Sequence, residues 1–141
     1  METMKLNAYL NFPGNLEEAF RYYEKHLGAK TVFMMRWNQM PGPDAAKYTP
    51  PGFTDKVLHA RLELADTSIL ASDGPKVEPM RSAYLTLAVG SNEEAERIYN
   101  ALADGGEVFM AIGETFFAHR FGQLRDKFGI NWMIIHDKPM A

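Results

Sequence analysis

The 141-residue chain contains no cysteine. That excludes a disulfide framework, a thiolate zinc site and a cysteine nucleophile. No apolar run approaches the roughly 18 residues that a membrane span needs. Charge of one sign is scarce as well: 15 Lys and Arg against 18 Asp and Glu leave a net −3, whereas a nucleic-acid binder usually presents a basic face. The opening "METMKLNAYL" has neither the apolar core nor the cleavage site of a secretory signal. The expectation is a soluble cytoplasmic protein with no nucleic-acid or membrane partner. A chain of this length buries roughly two-thirds of its unfolded surface, so it needs no covalent staple.

What the sequence does have is a repetition. "EEAFRYYEKHLGAKTVFM" (17–34) returns as "EEAERIYNALADGGEVFM" (93–110) at an offset of 76, with eight identities in eighteen positions. Such self-similarity decides architecture before any local signal does. Each copy reads as a helix followed by a strand. In the first, Asn15 is a candidate N-cap, Glu17 and Glu18 suit the positive end of the helix dipole, and Ala19, Phe20, Tyr23 and Leu27 share one face. Gly28 stops the helix. In the second, Ser91 or Asn92 caps, Ala95, Ile98, Tyr99 and Leu102 form the stripe, and Gly105–Gly106 ends it. The strands "KTVFMMRW" and "EVFMAI" follow.

Alternating segments precede both helices. In "KLNAYLNF", Leu6, Ala8, Leu10 and Phe12 oppose Lys5, Asn7, Tyr9 and Asn11; in "SAYLTLAV", Ala83, Leu85, Leu87 and Val89 oppose Ser82, Tyr84, Thr86 and Ala88. Period two marks a half-buried strand. Two further strands follow each copy: "DKVLHARLEL" and "SILASD", then "ETFFAHRFGQLRD" and "NWMIIHD". The chain is therefore an α+β protein of two tandem β-α-β-β-β modules, about 4–73 and 82–137, together making a single domain. Residues 72–82 link them. Between Trp37 and Lys56, four prolines exclude a central strand or a helix and predict a long loop.

Four phrases, "YLNFPGNLEEAFRYYEKHLG", "DKVLHARLEL", "EEAERIYNALADGG" and "ETFFAHRFGQLRDKFGINWMI", come in the order that resembles the PhnB-like branch of the vicinal-oxygen-chelate superfamily. This superfamily includes the glyoxalase, bleomycin-resistance and extradiol-dioxygenase proteins, and the branch often carries the label 3-demethylubiquinone-9 3-methyltransferase-like. The resemblance spans Leu6 to about His136. It implies an eight-stranded mixed sheet curled into a trough, helices on the convex face, a ligand in the concavity, and a homodimer.

Metal-using members take one His or Glu from the first and last strand of each module. The corresponding positions here are Asn7, a residue near Ser72, Tyr84 and Met133. None is a good donor for zinc, nickel or iron. No metal or other cofactor is therefore expected, and Asn7, Tyr84 and Met133 are read as ligand-lining. In "VLHARLEL", Leu58, Ala60, Leu62 and Leu64 suit the helix side, while Val57, His59, Arg61 and Glu63 take the trough side; a cross-strand ion-pair ladder is the competing reading. In "GETFFAHRFG", Phe117, His119 and Phe121 alternate on one face behind Glu114, either as core or as an aromatic wall. A buried Glu114–His59 pair, with both pKa values drawn toward neutrality, would suit acid–base work. The reading that follows is a binder of a small aromatic or planar molecule, with turnover left open. The alternative is a metal-dependent lyase, isomerase or dioxygenase using a non-standard site. No glycine-rich βα turn offers a cradle for S-adenosylmethionine.

Overall fold

The computed structural model describes residues 3–43 and 45–139. The chain divides into two compact units, Met1–Val77 and Glu78–Ala141. The first holds β1 (Ala8–Phe12), α1 (Leu16–Leu27), β2 (Lys30–Arg36), a 3-10 turn (Trp37–Gln39), α2 (Ala45–Tyr48), β3 (Val57–Leu64) and β4 (Thr67–Asp73). The second holds β5 (Leu85–Ala88), α3 (Asn92–Ala103), β6 (Glu107–Gly113), β7 (Ala118–Arg125) and β8 (Asn131–Asp137). Strand order is β1-β4-β3-β2 in one sheet and β5-β8-β7-β6 in the other. In each, the first and last strands of the unit run parallel and the other neighbours antiparallel. The repeated stretch thus folds twice into the same helix and the same edge strand. The eight strands form two open four-stranded mixed sheets, and the α+β reading holds.

The periodicities explain which side chains are inside. From α1, Leu16, Ala19, Phe20 and Tyr23 are buried against Leu10 and Phe12 of β1, Ala60 and Leu62 of β3, and Ile69 and Ala71 of β4. The rings of Phe12 and Phe20 meet edge to face at 6.4 Å. In the second unit, Ala95, Ile98, Tyr99 and Leu102 of α3 are buried with Leu124, Trp132 and Ile134. Gly122 on β7 is there because the Tyr99 ring takes the space of a side chain: a Cβ would sit 2.7 Å from Tyr99 Cε2.

Two local expectations change, and a third is narrowed. Asn15 occupies the N-cap position of α1, but its side chain makes no capping bond. The carboxylate of Asp73, at the end of β4, does the work instead: Oδ1 accepts the N–H groups of Gly14 and Leu16, and Oδ2 that of Val57, all at 3.0 Å. A fixed anion serves a helix N-terminus better than a neutral amide. At α3 the cap is Ser91, whose Oγ accepts Glu94 N–H at 3.1 Å. The proline-rich loop also contains a single α turn, Ala45–Tyr48, because the proline-free stretch between Pro43 and Pro50 is long enough for one turn and no more. Among the described residues, no helix is long and apolar enough to cross a membrane.

Candidate functional site

The helix-distant face of the first sheet carries the richest chemistry. Strand pairing sets its residues in rows. Phe33 on β2, Arg61 on β3, Leu70 on β4 and Tyr9 on β1 are successive register partners, so all four project from one face. One row away, Met35 opposes His59, and Asn11 opposes Ser72. On the other side, Lys30 opposes Glu63, which opposes Ser68. Buried Leu10, Phe12, Ala60, Leu62, Ile69 and Ala71 have the opposite parity.

His59 is the centre of this face. Its Nδ1 lies 3.1 Å from the Tyr9 hydroxyl, and the two rings stack with centroids 5.8 Å apart and planes 28° apart. Phe33 tilts against the same imidazole at 6.0 Å. Where the phenol donates to Nδ1, the imidazole proton is on Nε2, leaving a donor for a ligand. Tyr9 and Phe33 remain 47% and 45% exposed. For two large rings outside the core, that leaves ample apolar surface to cover. Polar groups frame it: Ser72 Oγ donates to Asn11 Oδ1 at 3.2 Å, Asn7 Nδ2 donates to the Ser68 carbonyl at 2.9 Å, and Ser68 Oγ donates to Glu63 at 3.0 Å.

Strict alternation fails at one end of β3. The register shifts between Met35 and Arg36 on β2 and their partners His59 and Val57. This bulge turns Val57 into the core, 1% exposed, with its N–H on Asp73. Val57 therefore does not share the open face with His59, Arg61 and Glu63, and Leu58 is only half-buried. A bulge places two residues against one, which no period-two count anticipates.

In the second unit the open face is uncharged over its central rows. Met110, Gln123, Met133 and Thr86 form one row, and Gly113, Phe121, Ile135 and Ala88 the next. Phe121 contacts Phe117 at 5.2 Å, near perpendicular, and Phe116 packs on Phe117 at the same distance. Tyr84 meets Phe109 edge-on at 6.3 Å, and Arg125 sits over that ring at 5.3 Å. His119 leaves the alternation. A register shift between Ala118 and Arg120 sets it against His136 at 4.8 Å. His136 Nδ1 in turn lies 2.9 Å from Asn92 Oδ1 at the start of α3. Arg120 reaches Glu96 on α3 at 2.9 Å.

Glu114 differs from the expected buried acid. It is exposed, just past β6, and its Oε2 lies 2.8 Å from Lys138 Nζ. That charged hydrogen bond holds its carboxyl below the ordinary glutamate value. A group so held is ionised at neutral pH and has no proton to give.

Among the described residues, no three of His, Asp and Glu gather as a metal ion requires. Asn7, Ser72, Tyr84 and Met133 carry an amide, a hydroxyl, a phenol and a thioether, none of them a usual ligand of zinc, nickel or iron.

Two open sheets of order 1-4-3-2, each with one helix packed on it, define the glyoxalase and bleomycin-resistance class of fold. A Frankia domain named as glyoxylase/bleomycin resistance protein/dioxygenase superposes with a TM-score of 0.64 at 18% identity, covering 98% of this chain and all of that one. At that identity the likeness is of fold alone. The sequence goes further: a family model described as 3-demethylubiquinone-9 3-methyltransferase matches residues 4–135, and the chain belongs to that family, the PhnB-like branch of the fold. Protein YjdN of Escherichia coli K12 is 38% identical over 138 residues, covering 93% of this chain and 94% of its own. The crystal structure of PA1353 from Pseudomonas aeruginosa superposes with a TM-score of 0.84 at 37% identity, covering 97% of this chain and all of that one.

Proposed function

We propose that this protein binds a small molecule with an aromatic or planar group on the open face of its first sheet, without the usual metal quartet of the superfamily. One observation carries the reading. Tyr9, His59 and Phe33 hold one another in an aromatic cluster that stays exposed on a sheet whose opposite face is fully packed. A stacking surface with one oriented imidazole is the usual make-up of such a site, mostly apolar with a few placed polar groups. Taken by itself, the second sheet's open face, with Phe117, Phe121, Tyr84 and Met133, has the same apolar and aromatic character. We read the protein as a homodimer, because the edge strands β2 and β6 expose Val32, Val108 and Phe109.

The methyl transfer in the family's description finds no support in the βα turns. In a fold that uses S-adenosylmethionine or a nucleotide, a helix N-terminus receives the ligand. Here the N–H of Leu16, the first residue of α1, is already taken by Asp73, and α3 is capped by Ser91.

The test is to identify by native mass spectrometry what co-purifies, then titrate that compound, or a screened aromatic, into wild type and His59→Ala. Binding should weaken about tenfold, the loss of one stacking and one hydrogen-bonding group, with the melting temperature nearly unchanged. Unaltered binding by the variant would sink the reading. So would a stoichiometric metal that His59→Ala removes, which would favour the metalloenzyme alternative.

A further inference from the structure

Four arginines stand on the strands, and three of them are spoken for. Arg36 binds Glu17 at 3.0 Å and the Asp55 carbonyl; Arg120 binds Glu96; Arg125 donates to Asn131 Oδ1 and the Met80 carbonyl. The Arg61 side chain has neither an ion pair nor a hydrogen bond among the described residues. Its place in the sheet explains why. Its register partners are Phe33 on one side and Leu70 on the other, and Tyr9 follows in the same row. Neither direct partner, Phe33 or Leu70, has a side-chain acceptor. The next carboxylate on this face, Glu63, accepts from Ser68 Oγ and stands opposite Lys30. Lys30 and Glu63 cancel, so Arg61 leaves the face one positive charge in excess. That charge sits in the same row as two of the three rings of the aromatic cluster.

A guanidinium in a row of apolar partners is costly to cover with a neutral ligand, because covering it strips water and returns no acceptor. An oxyanion reverses the balance, since a planar carboxylate matches the guanidinium fork with two parallel N–H···O bonds. Resting on the reading of this face as the binding site, we infer that the ligand is an aromatic carboxylate, its ring against Phe33, His59 and Tyr9 and its carboxylate on Arg61. Arg61 is then the specificity-determining residue, setting charge preference, while the rings set shape.

The experiment uses 2-naphthoate and its uncharged partner 2-naphthamide as probes, titrated by calorimetry into wild type, Arg61→Gln and His59→Ala. Wild type should bind the acid about tenfold more tightly than the amide, a factor typical of one charge-assisted pair. Arg61→Gln should abolish that preference by weakening the acid alone, and added salt should narrow it in wild type. His59→Ala should weaken both probes together. Equal binding of acid and amide by wild type, or a preference that survives Arg61→Gln, overturns the charge assignment and leaves the aromatic site standing if His59→Ala still weakens both. Absence of saturable binding by either probe overturns the site itself.

Discussion

Replacing Asp73 tests how the first module is held together. The side chain is 2% exposed, and its two oxygens accept three backbone N–H groups from three segments: the turn after β1, the start of α1 and the start of β3. Asp73→Ala strands all three donors. An unsatisfied buried N–H costs about 1–3 kcal/mol, but water entering the vacated space recovers part of that. A net loss of ~3–5 kcal/mol is expected, a large share of the 5–15 kcal/mol typical of a domain. At about 2–4 °C per kcal/mol for this chain length, the melting temperature should fall by roughly 6–20 °C. Asp73→Asn separates charge and geometry from size. Its amide oxygen can keep the Gly14 and Leu16 bonds, but its NH2 then faces the Val57 N–H, donor against donor. A loss of about 1–3 kcal/mol follows from that single broken bond. Urea unfolding followed by circular dichroism and tryptophan fluorescence measures both variants. A cost below about 1 kcal/mol for Asp73→Ala, or an Asp73→Asn protein as stable as wild type, would refute the argument that this carboxylate ties the three segments. Asp126 repeats the device in the second module, with Oδ1 accepting from Phe128 and Ile130 N–H and Oδ2 from Trp132 Nε1. Asp126→Asn should behave like Asp73→Asn.

Gly122→Ala should cost about 1–3 kcal/mol from overpacking against the Tyr99 ring; a double-mutant cycle should show a smaller cost in a Tyr99→Leu background, and an unchanged cost would place the strain elsewhere. Carboxyl NMR should find Glu114 titrating below a free glutamate and returning upward in Lys138→Ala. Because the folded value is the depressed one, the pair's contribution is present above the unfolded value and is lost as pH falls through the folded one; full exposure keeps it small. Light scattering at micromolar concentration should report twice the chain mass, and a monomer would remove the reason offered for the exposed edge strands.

How much of this was legible in advance can be followed residue by residue. Periodicity and the 76-residue repeat were enough for two β-α-β-β-β modules. α1 and α3, of twelve residues each, fall where Ala19–Leu27 and Ala95–Leu102 place their stripes. Alternation also put His59 and Arg61 on the open face and Tyr9 on the outward side of β1, because pleat and helical turn are local geometry written at fixed spacing. The partnerships were not legible. Tyr9 and His59 are 50 residues apart, and only the β1-β4-β3 pairing sets their rings together. Phe33 joined them through a strand that reads simply as apolar. The bulges that turn Val57 inward and set His119 against His136 are register events, decided when two strands meet and one has a residue to spare. Asn15 carried the sequence signal for a cap, and Asp73, 58 positions further on, took that role, because tertiary contact brought a charge to donors that the nearer amide serves less well. Local order was thus set by the chain's own spacing, and the Tyr9–His59–Phe33 cluster was assembled by long-range pairing that no window of sequence contains.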